Sequence, residues 1–161
     1  NVPYNNAPSY QEVADQCYFN FLRVYAPAES QLQWMTGHII PGEMLLLGNP
    51  WERSGEAGQE FAGFMTFTNF MMVPRSNAVT TEVAYTLPEA VVQQEGNHQI
   101  YRLWLRKQAG TGPEPVTITV TLPEGAVLVE AQAPQQAEVN GRTVTFTFDL
   151  QADTLIVLEY Q

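Results

Sequence analysis

From about residue 60 onward, apolar and polar side chains alternate along the chain. In VTTEVAYTL (79–87), Val79, Thr81, Val83, Tyr85 and Leu87 fall on one side of an extended backbone, and Thr80, Glu82, Ala84 and Thr86 on the other. VTITVTL (116–122) is cleaner, with Val116, Ile118, Val120 and Leu122 predicted inward and three threonines outward. TVTFTF (143–148) places Val144, Phe146 and Phe148 inward, and TLIVLEY (154–160) reads as a more fully buried strand. The pair Asn140-Gly141 between two such patterns predicts a two-residue hairpin, because both residue types accept positive φ. A second reversal, QAGTGPEP (108–115), is predicted to follow the strand around HQIYRLWLRK.

Upstream, CYFNFLRVYA and EFAGFMTFTNFMMV are rich in aromatic and β-branched residues and each ends at a proline. Thr-Leu-Pro-Glu occurs twice, at 86–89 and 121–124, each time after an alternating run. Proline has no N–H to give to a ladder, so Pro27, Pro74, Pro88 and Pro123 are predicted to stop strands. The likeness between the two copies fades within about a dozen residues, which favours strand-end chemistry over a duplicated module. Helix signals are few: Ser9 with Glu12 has capping-box spacing and predicts one short helix or turn. Residues 41–60, PGEMLLLGNPWERSGEAGQE, hold no stable period and read as a long loop.

The expected fold is therefore all-β: an antiparallel two-sheet sandwich, immunoglobulin-like or related, with a short N-terminal extension over 1–16 and a single domain over 17–161. The length of 161 residues and an apolar content of 45% against 15% charged suit one packed domain. A formal charge of −10, with Lys107 the sole lysine, repels phosphate backbones and anionic membrane surfaces, so nucleic acid is a poor partner. The lone cysteine, Cys17, cannot form an internal disulfide and reads as a small filler within a strand. No apolar run approaches the roughly 20 residues of a membrane-spanning helix, so direct membrane insertion by this fragment is not expected. The chain begins at Asn1 and shows no signal peptide, and it is expected to be a processed piece of a longer protein.

Two stretches, YFNFLRVYAPAESQL and YRLWLRKQAGTGPEPVTITVTLPEGA, carry a resemblance. An aromatic-Asn-aromatic strand (Phe19, Asn20, Phe21) leads into Arg23, Val24, Tyr25 and Pro27; a later turn, Lys107, Gln108 and Gly110, precedes a strand ending at Leu122 and Pro123. This arrangement resembles the C-terminal region of a family of large bacterial cell-surface proteins of unknown function with an N-terminal membrane-spanning helix. The likeness starts at about residue 17 and covers roughly two thirds of the chain; Ala109 stands where a proline is expected, and 48–59 match nothing in the family. The resemblance implies a sandwich fold and an extracellular or cell-surface location, tethered through a segment ahead of this chain. It brings no catalytic residue with it.

The search for chemistry narrows the rest. His38 and His98 lie sixty positions apart with one cysteine in the chain, so a zinc site is not expected; no cofactor is expected either. Glu43, Glu52, Glu56 and Glu60 near flexible glycines leave calcium open, against a solvated acidic loop. Neither Gly-x-Ser-x-Gly nor a phosphate-binding glycine loop is present, and a non-catalytic role is expected. The constellation of interest lies on IYRLWLR: with Tyr101, Leu103 and Leu105 inward, Arg102, Trp104 and Arg106 share the other face at about 7 Å spacing. A tryptophan between two arginines could stack on a sugar or receive an anion; alternatively it is covered, with the arginines paired to glutamates. Trp34 and Trp51 could frame a second site with His38, Trp34 being expected to pack and Trp51 to be exposed. Two functions follow: a structural or protein-interaction module whose partner is a protein, or a carbohydrate-binding module that meets a cell-surface glycan through Trp104 or Trp51 and loop carboxylates.

Overall fold

The structure is a computed structural model in which residues 17–161 are described. The short helix expected around Ser9 lies outside them. The chain is all-β, built from antiparallel pairs. It divides at Pro88/Glu89 into two compact units, a division not drawn by a reading that took 17–161 as one domain.

The first unit is organised by two eleven-residue strands, β1 (Cys17–Pro27) and β6 (Phe64–Pro74), paired in unbroken register from Cys17–Pro74 to Pro27–Phe64. Both end at a proline, as the missing N–H requires. The region expected to be one loop contains instead a 3₁₀ turn at Gly42–Met44 and two three-residue strands, β4 (Trp51–Arg53) and β5 (Glu56–Gly58). β4 pairs with β3 (His38–Ile40), and β5 pairs with β6, giving the order β1-β6-β5. A further pair joins β2 (Gln31–Met35) to β7 (Val83–Thr86). The buried set includes Ala26, Met35, Ile40, Phe67 and Met71. Asn69 is buried among them with both ends of its amide used: Nδ2 donates to the Thr36 carbonyl (2.6 Å) and Oδ1 accepts from the Phe70 N–H (2.7 Å).

Alternation across 79–87 predicted a longer strand than β7. Residues 77–82 are not laddered, because their polar groups find other partners. Glu82 N–H donates to Thr36 Oγ1 (2.9 Å), its carbonyl accepts from Thr36 N–H (2.9 Å), and Thr81 Oγ1 lies 2.8 Å from His38 Nε2. The expected inward leucine is also wrong at this end: Leu87 is 39% exposed, whereas Leu122, its counterpart in the second Thr-Leu-Pro-Glu, is buried. Shared letters here mark strand ends and not shared packing.

The second unit is a sandwich. One sheet runs β8 (Val92–Glu95), β9 (His98–Leu105), β14 (Thr154–Tyr160), β11 (Leu128–Gln132); the other runs β10 (Glu114–Thr121), β13 (Thr143–Leu150), β12 (Glu138–Asn140). Val144, Phe146, Phe148 and Leu150 from one sheet meet Ile156 and Leu158 from the other, with Leu103, Ile118 and Val120 packed against them. Val144, Phe146, Phe148, Leu103, Ile118 and Val120 are inward positions expected from the pattern; Leu150, Ile156 and Leu158 join them. The outward threonines pair across β10 and β13, Thr117 with Thr147 and Thr119 with Thr145.

The 140s hairpin is present, offset by one residue from expectation. Asn140 pairs with Thr143, so the turn is Gly141-Arg142, with Gly141 at φ 58° and Arg142 not in the positive-φ region. That is the pattern of a type II′ turn, which needs glycine only at its first position. The hairpin keeps the fifth and sixth strands of the unit in one sheet, and the seventh, β14, crosses to lie beside β9. In the immunoglobulin order the fifth strand sits beside the second and the seventh beside the sixth, so this sandwich exchanges those two.

Candidate functional site

In the second unit β9 alternates as expected, with Tyr101, Leu103 and Leu105 turned to the core and Arg102, Trp104 and Arg106 outward. Trp104 is 55% exposed. Both flanking arginines are engaged. Arg102 donates to Gln93 Oε1 (2.6 Å) and pairs with Glu95 (3.2 Å); Arg106 pairs with Asp153 (2.5 Å) while its guanidinium carbon sits 5.1 Å from the Trp104 ring centroid. The Asp153 carboxyl is held below its ordinary range by the Arg106 side chain first and then by the Lys107 backbone N–H. The face is thus an indole with one charged neighbour against it and its positive charges matched by Glu95 and Asp153. An anion would have to displace a carboxylate there, whereas a sugar ring needs only the open part of the indole.

The turn that follows is fixed by Lys107. Its ammonium donates to the Gln108 carbonyl (3.1 Å), to Thr111, and to Glu114 (3.3 Å), with only 9% of the side chain exposed. Thr111 first and Lys107 second hold the Glu114 carboxyl low. The Lys107-Gln108-Ala109-Gly110 stretch therefore positions the β9–β10 crossover.

In the first unit Trp51 is 42% exposed, and Trp34, expected to pack, is 50% exposed. The proposed grouping of both with His38 does not describe their contacts: His38 is turned to Thr81, and Trp51 lies against Phe70 (centroids 5.9 Å). Trp51 belongs instead to an aromatic face that alternation did not reveal. Phe19 and Phe21 on β1 point to the side of Phe70 on β6, Phe19 stacking on Phe70 at 5.9 Å and 6°. Arg23 lies 4.5 Å over the Phe21 ring, and Arg53 sits between Phe21 (5.7 Å) and Trp51 (5.6 Å). Carboxylates hold both guanidinia: Glu60 on Arg23 (3.3 Å) and Glu56 on Arg53 (2.7 Å). Tyr25 continues the row, against Phe61 (5.8 Å) and near Glu60.

Beside this face, Gly42 abuts Gly48 so closely that a Cβ at 42 would lie 2.2 Å from the Gly48 carbonyl oxygen, and the closed loop presents Leu46 and Leu47 to solvent. The signal available in sequence was that β1 carries large apolar side chains on both faces. Of the loop glutamates, Glu56 is paired with Arg53 and Glu60 with Arg23, and among the described residues no three His, Cys, Asp or Glu side chains come together as a metal site. No helix among the described residues is long and apolar enough to cross a membrane. Compared with protein-family models, curated proteins and solved structures, the chain matches none.

Proposed function

We propose that this chain is a non-catalytic interaction module of a surface-anchored bacterial protein, presenting a sheet face and edge to a protein partner. The observation that carries the reading is the aromatic row of Phe19, Phe21, Tyr25, Phe70 and Trp51, partly open to solvent and braced by Arg23 and Arg53. Exposed aromatics and arginines on a rigid sheet are what the centres of protein interfaces are made of. The extracellular location and the tether in the parent rest on the likeness of Phe19–Pro27 and Lys107–Pro123 to the cell-surface family. Antibody labelling of the parent protein on intact cells tests that location, and labelling only after permeabilisation would refute it.

A second reading, carbohydrate binding, is favoured by the half-exposed indole of Trp104 beside Arg106. A glycan array followed by tryptophan-fluorescence titration separates the two. The interaction module shows no saturable sugar binding, whereas saturable binding that Trp104→Ala abolishes would replace the first reading with the second.

A further inference from the structure

Resting on the reading of the chain as a protein-interaction module, we propose that its partner is a second copy of itself, joined edge to edge through β1 in antiparallel register centred on Leu22. β1 is the outer strand of the order β1-β6-β5, and among the described residues its outer edge pairs with no strand. Among the described residues it lacks the usual protection of an edge. Its register with β6 runs through all eleven residues without a bulge, its proline comes only at the last position, and its one charge is Arg23.

The sequence of β1 is self-complementary along its whole length in one register. A two-fold axis at Leu22, the midpoint of the strand, sets Cys17 opposite Pro27 of the second copy and so uses the whole length. On the aromatic face it sets Phe19 opposite Tyr25 and Phe21 opposite Arg23, each pair occurring twice; on the other face it sets Leu22 opposite Leu22 and Asn20 opposite Val24. The Phe21–Arg23 pairing repeats between copies the ring–guanidinium contact that exists within one. Shifting the axis by one residue toward Pro27 puts Arg23 against Arg23, a like-charge pair that disfavours that register. The product is a continuous six-stranded sheet with a doubled aromatic face. An isologous contact of this kind closes on itself and does not propagate.

Because each chain carries −10, the two copies repel, and added salt screens that repulsion. The dimer therefore tightens as sodium chloride rises, opposite to an interface held by ion pairs. Sedimentation equilibrium over a concentration series is expected to carry the mass from 18.0 kDa toward twice that value, more completely at high salt. Phe21→Lys places a lysine opposite Arg23 at two positions and is expected to raise the dimer dissociation constant about tenfold or more.

Register is read by cysteine cross-linking in a Cys17→Ser background. Leu22→Cys brings two Cα atoms within about 4.5–5.5 Å and is expected to form a disulfide dimer on mild oxidation. Phe19→Cys leaves its two copies about 20 Å apart and is expected to stay monomeric. Should Leu22→Cys perturb folding, a mixture of Phe21→Cys and Arg23→Cys chains reports the same register through a mixed disulfide. A chain that remains 18.0 kDa at high concentration and high salt overturns the proposal, as does cross-linking no faster at 22 than at 19. Either failure leaves the interaction-module reading standing, since that reading is tested separately, by glycan binding through Trp104 and by labelling on intact cells.

Discussion

Neighbouring positions Phe146 and Thr147 on β13 should differ sharply in what their truncation costs, because the strand turns them to opposite sides of the sandwich. Phe146 is 1% exposed and lies among Val144, Phe148, Leu150, Ile156 and Leu158, so Phe146→Ala removes a whole ring from a closed core. Such truncations cost about 3–5 kcal/mol, the transfer free energy plus that of the cavity left behind. At about 0.05–0.15 kcal/mol per residue, a unit of roughly seventy residues is stable by about 4–10 kcal/mol, so the variant approaches the folding threshold. Thr147 is exposed and offers only a long hydroxyl contact to Thr117 (3.5 Å), and Thr147→Ala should stay within about 0.5 kcal/mol of the parent. Urea unfolding followed by the fluorescence of Trp104, the one tryptophan of this unit, in a Trp34→Phe, Trp51→Phe background measures both. Equal costs at the two positions, or a cost below about 1 kcal/mol at Phe146, would refute the assignment of faces on which the sandwich rests.

Three further outcomes are expected. Gly141→Val puts a β-branched side chain at φ 58° in the two-residue turn and should cost about 1–2 kcal/mol or more in urea unfolding, whereas Gly141→Asn should be closer to the parent. Asn69→Ala leaves the Thr36 carbonyl and the Phe70 N–H without their partner in a buried setting, and a loss of about 2–3 kcal/mol is expected in the thermal or urea transition of the first unit. Asp153 and Glu114 both have folded values below the ordinary carboxylate range, so the stability they contribute is present above that range and is lost as pH falls through their folded values. Arg106→Gln removes the leading cause at Asp153, and the variant's urea midpoint should fall less than the parent's between pH 6 and pH 2.5.

Legibility followed one-sided burial. β10 and β13 alternate in sequence because one face of each meets a dry core and the other meets water, so VTITVTL and TVTFTF disclosed their inward residues directly. The same logic placed Trp104 and its two arginines outward. It failed where local hydrogen bonds compete with the ladder, as at Thr81 and Glu82, whose bonds to His38 and Thr36 leave β7 four residues long. The boundary at Pro88/Glu89 was hidden because no glycine- or serine-rich linker marks it, and only Leu87, Pro88 and a single 3₁₀ turn at Glu89–Val91 separate β7 from β8. The hairpin turn was displaced by one residue because Asn140-Gly141 suits one turn type and Gly141-Arg142 another, and strand register decides between them. β1 was legible as a strand, yet its exposure was not: apolar on both faces, it reads as a fully buried strand, and no count of apolar residues says how many neighbours a strand has.

Three exposed aromatics, Phe21, Trp51 and Trp104, share one local arrangement, which recurs on both candidate faces. Arg23 lies over Phe21 and on Glu60, Arg53 over Phe21 and Trp51 and on Glu56, and Arg106 over Trp104 and on Asp153. A chain with seven basic residues against seventeen acidic ones thus places three of its arginines between a ring and a carboxylate. Each such contact is worth about 0.5–1 kcal/mol at an exposed site, too little to explain folding. What it does is set orientation: the guanidinium fixes the ring on one side, and the carboxylate cancels the charge that would otherwise draw in anions. An aromatic held this way keeps its remaining surface available at little entropic cost on binding. That property suits a surface built for repeated contact and is of no use to a buried core, which is why the partly open rings of β1, β4 and β9 are where function in this molecule should be sought.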